Sequence, residues 1–138
     1  MKSKLILPVL TLALLALAGC ATTPPTAPGT RRFEPREGQK LNLSYVVLSD
    51  VEVEPVPLSL PKPELTYDAR FAGTAATVVV EITVDAAGAV AAAHVVSAEP
   101  VFAGEPVAAS FAHARFRGAT KQGAPVPCRV RIIYSFTL

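Results

Sequence analysis

Between residues 77 and 84 the chain alternates, with Val78, Val80, Ile82 and Val84 on one side and Thr77, Val79, Glu81 and Thr83 on the other. A period of two, rich in β-branched side chains, predicts a strand with one buried face. Asp85-Ala86-Ala87-Gly88 then reads as a turn, in which the aspartate accepts backbone hydrogen bonds and the glycine takes positive φ without a Cβ clash. Residues 89–97 carry the returning strand, whose alanines leave Val90, Val95 and Val96 to hold it. The period changes over 106–115, where Val107, Ser110, Phe111 and Ala114 form one helical stripe behind Pro106 in the first turn. Arg115 and Arg117 fall at the expected C-terminal end, where the helix dipole favours cations, and Gly118 supplies a left-handed stop. Gln122-Gly123 opens another turn. After Pro127 a closing strand places Cys128, Val130, Ile132, Tyr134, Phe136 and Leu138 on one face, and Arg129, Arg131, Ser135 and Thr137 on the other, with Ile133 an apolar intruder. Strand, strand, helix, strand predicts a small two-layer α+β domain over residues 63–138, a three-stranded antiparallel sheet covered by one helix. Its expected core includes Val78, Val80, Ile82, Phe111, Phe116 and Phe136.

Upstream the pattern is different. Lys2 and Lys4 precede a mostly apolar run over 5–18, and small Ala18 and Gly19 lead into Cys20. This resembles a bacterial lipoprotein signal peptide over 1–19, cut before Cys20, with lipid attached to the new N-terminal cysteine. The run is short for a membrane span, which needs about 20 residues, and Pro8 interrupts it. An ordinary secretory leader with an incidental Cys20, or a retained anchor, are the competing readings. Ala21 and Thr22 follow the cysteine without the aspartate that holds enteric lipoproteins at the inner membrane, which favours the outer membrane. Residues 20–40 are Pro-, Thr- and charge-rich and predict a flexible tether. Residues 41–62 read as a proline-rich approach, with a strand suggested where Leu41, Leu43, Tyr45 and Val47 alternate with Asn42, Ser44 and Val46. Pro55, Pro57, Pro61 and Pro63 interrupt regular structure after it.

Charge narrows the function class. Of thirteen basic side chains, Lys2 and Lys4 leave with the leader, so eleven remain against eleven acids. A balanced chain argues against a nucleic-acid binder, whose affinity rests on neutralising phosphates. With Cys20 acylated, Cys128 has no intrachain partner, so the apolar core holds the fold without a disulfide.

Catalytic constellations are missing from the sequence. His94 sits in the alanine-rich second strand, where phase with Val90 and Ala92 turns it inward and the Val95-Val96 pair leaves its face undecided. His113 lies beside Ala112 and Ala114. Neither histidine has metal-ligand spacing to Cys128 or a carboxylate, and Cys128 alternates into the apolar face. Glu52 and Glu54 share a face only in a proline-rich segment, while Asp68, Glu81 and Asp85 read as turn or solvent-face residues. The glycines are spaced like element ends rather than a phosphate loop. The expectation is a protein that is not an enzyme and takes no cofactor or metal.

Three stretches, in order, carry a family resemblance: residues 77–90 with their Asp-Gly turn, residues 111–119 with Arg115-Phe116-Arg117, and Gln122-Gly123-Ala124-Pro125-Val126 leading into the final Tyr134-Ser135-Phe136-Thr137-Leu138. Together they resemble the C-terminal domain of TonB, the energy transducer of Gram-negative outer-membrane transport. The family usually has proline where Asp68 follows Tyr67, tryptophan at the place of Ala114 and proline at that of Gly118. It also keeps an N-terminal membrane helix, which a lipidated Cys20 does not supply.

The resemblance implies a domain that receives an extended segment of an envelope protein or outer-membrane transporter as an added strand. It makes the last strand the receiving edge, with backbone groups from Val130, Ile132, Ile133 and Tyr134, and with Arg129 and Arg131 as modest electrostatic contributors. The expected protein is thus a non-enzymatic, lipid-anchored periplasmic domain supporting transport at the outer membrane. The alternative is a structural or self-associating accessory lipoprotein, a homodimer through the same edge, without energy transduction.

Overall fold

The computed structural model describes residues 30–33 and 42–138. Its elements in chain order are β1 (Thr30–Arg32), β2 (Asn42–Val47), β3 (Val56–Ser59), β4 (Thr66–Asp68), β5 (Ala75–Val84), β6 (Val90–Glu99), α1 (Gly104–Phe111), β7 (Arg115–Arg117), β8 (Ala119–Lys121), β9 (Ala124–Val126) and β10 (Cys128–Thr137). Short 3-10 turns occupy Ala69–Phe71 and Val101–Ala103. The leader over 1–19, Cys20 and the tether apart from 30–33 lie outside the described residues.

The two long alternating segments, β5 and β10, pair antiparallel over ten residues, from Cys128 opposite Val84 to Thr137 opposite Ala75. Each turns its apolar row to the same side, where Val78, Val80, Ile82, Val84, Val130 and Ile132 are all essentially inaccessible to water. The β5–β6 hairpin closes through the turn at 85–88. Asp85 Oδ1 accepts from the N–H groups of Ala87 and Ala89, both at 2.9 Å, and Gly88 has φ +88°. Helix α1 packs its Val107, Ala108 and Phe111 over β6 and β5. Phe111 meets Tyr134 edge-on at 5.8 Å, an arrangement the ring quadrupoles favour.

The sheet has four strands in the order β2-β10-β5-β6, not the three expected. The extra strand is β2, six residues that pair antiparallel with β10 from Val47 opposite Val130 to Asn42 opposite Ser135. Local pattern identifies β2 as a strand but carries no information about its partner some ninety positions away.

Other departures share this cause: a distant partner decides the local conformation. The helix ends at Phe111, and Arg115–Arg117 is strand β7 rather than a helix end. Val56 pairs with Arg117 and Ser59 with Arg115, so the proline-rich approach supplies the ladder that keeps 115–117 extended. Pro57 is tolerated because this ribbon has only two strands. Gly118 takes no left-handed conformation; a Cβ there would lie 2.8 Å from the Ala86 oxygen, so close backbone approach is what requires glycine. Thr30–Phe33 belongs to the fold and not to a tether. β1 pairs with β4, the Phe33 N–H donates to the Leu65 oxygen at 2.6 Å, and the buried Phe33 ring stands edge-on to Phe136 at 4.8 Å.

Strand β6 contains two register shifts. Val79 pairs with Ser97 but Val80 with Val95, which leaves Val96 as an exposed extra residue. A second shift at Ala91 breaks the phase between Val90 and His94, so His94 faces outward, opposite Glu81.

Candidate functional site

The candidate receiving strand lies inside the sheet. β10 has β5 on one side and β2 on the other, so no open edge exists along Arg129, Val130, Arg131, Ile132, Ile133 and Tyr134. This corrects the expectation of an exposed last strand, since residues 42–47 already cover it.

Backbone alternation assigns each of the six residues to one neighbour. The Leu48 N–H donates to the Arg129 oxygen at 2.8 Å, and the Leu138 N–H donates to the Thr74 oxygen at 3.0 Å. Hydrogen-bonded and non-hydrogen-bonded pairs alternate in an antiparallel ladder. Arg129, Arg131, Ile133 and Ser135 therefore direct their N–H and C=O groups toward β2. Val130, Ile132 and Tyr134 direct theirs toward β5. Of the first set, Arg131, Ile133 and Ser135 lie opposite β2 and are the ones a strand taking its place could meet.

The side chains of Arg129 and Arg131 rise from the sheet face opposite α1 and converge on Glu81. Arg129 donates from Nε to Glu81 Oε1 at 3.0 Å and again from Nη2 to the same oxygen. Arg131 Nη2 donates to Oε2 at 3.1 Å, and His94 Nε2 stands 4.0 Å from Oε1. These neighbours leave the Glu81 residue only 5 % exposed, and hydrogen bonds from Arg129 and then Arg131 hold its carboxyl below the ordinary carboxylate range, against the opposing effect of desolvation. The two arginines are thus engaged with Glu81 rather than free to select an acidic peptide. Glu81 has no local motif; its register opposite Arg131 and His94 is the only signal that would have identified it.

A second polar array fixes the approach to β2. Ser49 Oγ accepts from the Arg129 N–H at 2.8 Å, Glu52 Oε2 accepts from the Gln122 N–H at 3.0 Å, and Lys121 Nζ donates to Asp50 Oδ2 at 2.6 Å. The Lys121 ammonium holds the Asp50 carboxyl below its usual value. The Gln122-Gly123 turn joining β8 and β9 has φ of +52° and +76°, the primed geometry that suits a tight hairpin.

Groups with reactive potential are placed apart. Cys128 is buried and its thiol pushed up by desolvation, which keeps it protonated and unreactive at neutral pH. His113 is exposed on the rim of a shallow groove of about 470 Å³ between residues 61–64 and α1, where Ser110 Oγ already donates to the Val107 oxygen at 2.8 Å. Among the described residues no group of three or more histidine, cysteine or carboxylate side chains is arranged to hold a metal.

The described residues form a small α+β domain built on an antiparallel sheet with one covering helix. The family model described as "Gram-negative bacterial TonB protein C-terminal" matches residues 61–138, and the chain belongs to this family. Domains of the family are non-enzymatic, act in protein–protein interaction in envelope transport, and work on the periplasmic side of the envelope. Comparison with curated proteins gives no match, and neither does comparison with solved structures. Among the described residues no helix is long and apolar enough to cross a membrane.

Proposed function

We propose that the protein is a lipid-anchored TonB-like binding domain, held by acylated Cys20 and favouring the outer membrane, that takes extended segments of envelope proteins as an added strand. β10 is the receiving strand, through the outward N–H and C=O groups of Arg131 and Ile133. One observation carries the reading: this side of β10 already accepts an antiparallel strand over six residues, so its geometry suits strand addition. Photo-crosslinking from position 133 in intact cells tests it. The expected adduct contains an extended segment of an outer-membrane transporter or another envelope protein; absence of any such adduct overturns the reading. The anchor is tested separately. Metabolic labelling with a palmitate analogue should mark the wild type and not Cys20→Ser, and equal labelling of both excludes the lipoprotein.

Self-association is the second reading. Among the described residues β2 has no strand on its outer side, and it presents Tyr45 and Val46, with Leu48 just after it, as exposed apolar side chains. An unpaired edge of this kind templates pairing with another copy. A mass that rises with concentration in light scattering favours it, and a persistent monomer excludes it.

A further inference from the structure

We infer that β2 is a built-in competitor for the strand-addition site, and that its own pattern describes the ligand. This rests on the reading of β10 as the receiving strand. An incoming chain can reach Arg131 and Ile133 only after residues 42–47 leave, because their backbone groups are paired there.

The structure makes β2 easier to release than its neighbours. None of its side chains belongs to the buried core, whereas Val130 and Ile132 opposite it are inaccessible to water. Leu43 and Val47 only pack part-buried against the core, while Tyr45 is 36 % exposed and Val46 53 %. No β2 side chain makes a hydrogen bond or ion pair among the described residues. Firm anchors lie on either side, with Phe33 buried before β2 and Pro55 after it. Segment 49–53 is also fastened to β8 and β10. β2 can therefore detach as a loop without drawing core residues out. An incoming strand replaces the lost ladder bond for bond, so the exchange is close to balanced in hydrogen bonds.

Tethering decides the resting state. A covalently attached strand competes at an effective concentration in the millimolar range for a short flexible connection. A free ligand binds only the released fraction, so its apparent affinity falls by that fraction. The ligand that wins resembles β2 and improves on it. It is an extended segment of about the same length, antiparallel to β10, with large apolar residues at the alternate positions where Leu43, Tyr45 and Val47 stand opposite Tyr134, Ile132 and Val130. Uncharged residues suit the intervening positions, because Arg131 beside Val46 is already engaged by Glu81.

The test uses the full chain and a labelled synthetic peptide of residues 42–47 with a charged solubilising tail. Ser44→Pro removes the β2 N–H directed at Ile133 and leaves β10 intact. It should bind the peptide at least about tenfold more tightly than the wild type, the gain expected when release rises by that factor. The pair Ser44→Cys with Ile133→Cys locks β2, since Cα atoms of a hydrogen-bonded antiparallel pair are about 5.5 Å apart, within disulfide reach. The oxidised pair should not bind the peptide, and reductant should restore binding. Equal binding by oxidised and reduced forms overturns the inference and leaves strand addition standing elsewhere, for example on the outer edge of β2. No binding by Ser44→Pro or the reduced pair also overturns it. Where Ser44→Pro fails to fold, the redox dependence of the cysteine pair decides alone. Loss of envelope adducts at position 133 instead removes the strand-addition reading, a result independent of the peptide measurements.

Discussion

Glu81 and Gly88 are each held by closely placed neighbours. Glu81 is held by Arg129 and Arg131, so in the folded protein it titrates below the value of 4.5 at which it begins. The folded state then binds fewer protons than the unfolded one in this window. The stabilisation is complete above that value and lost as pH falls through the folded pKa. Thermal unfolding should show Glu81→Gln melting below the wild type at neutral pH, with the gap closing on acidification below the carboxylate range. A gap that is constant with pH would show that charge is not its source. At Gly88, φ is +88° and a Cβ would stand 1.9 Å from the Phe116 oxygen, on the backbone that also pairs Phe116 N–H with the Gly88 oxygen at 2.8 Å. Gly73 shares the positive φ, at +82°, but has open space around it. Gly73→Ala should therefore cost only the left-handed penalty of about 1–2 kcal/mol in urea unfolding, and Gly88→Ala distinctly more. The turn role of Gly88 is legible in the sequence, because Asp-Ala-Ala-Gly between two apolar runs has a local cause. Its contact with Phe116 is not, because that depends on where β7 goes.

At the scale of elements, alternation is informative where one face is buried and the other wet. β5 and β10 satisfy that condition along their length, and their faces are readable residue by residue. β6 is not, since the extra residues Ala91 and Val96 shift its phase and turn His94 outward. β7 defeats local reading altogether: Phe111 and Ala114 extend a helical stripe, but Arg115–Arg117 is extended because β3 pairs with it. Helix α1 has only eight residues, too few for an isolated helix to be stable, so packing must hold it. Phe111 is the largest side chain it buries, against Tyr134. Phe111→Ala should cost about 3–5 kcal/mol in urea unfolding, the range for an aromatic lost from a core. A cost below about 1 kcal/mol would mean that neighbouring side chains close the space, as they do at sites that collapse well.

For the whole molecule, the boundary of the folding unit extends beyond the family match. Residues 61–138 supply β4 to β10 and the helix, but the four-stranded sheet is completed by β2, the β7 ribbon by β3, and the core by Phe33. Phe33 and β3 have no strong local signal, and that of β2 does not name its partner. Phe33 stands among arginine, glutamate and proline, and β3 contains Pro57, so composition reads both as linker. Their worth lies in long-range contacts: Phe33 with Phe136, β2 with β10, β3 with β7. A chain beginning at residue 61 should therefore be less stable than one beginning at Cys20. Loss of the Phe33 ring alone corresponds to about 3–5 kcal/mol, a large share of the roughly 5–15 kcal/mol that holds a small domain. The shorter chain also bares the N–H and C=O groups of Arg129, Arg131, Ile133 and Ser135, which are free to pair with another copy. Its urea midpoint should fall and its light-scattering mass should rise with concentration. Phe33→Ala in the longer chain separates the two effects, because it weakens the core while β2 still covers the edge, and should lower the midpoint without association. A shorter chain that stays monomeric with an unchanged midpoint would place both β2 and Phe33 outside the cooperative unit. β2 would then be an ornament on the sheet rather than the cover of its binding strand.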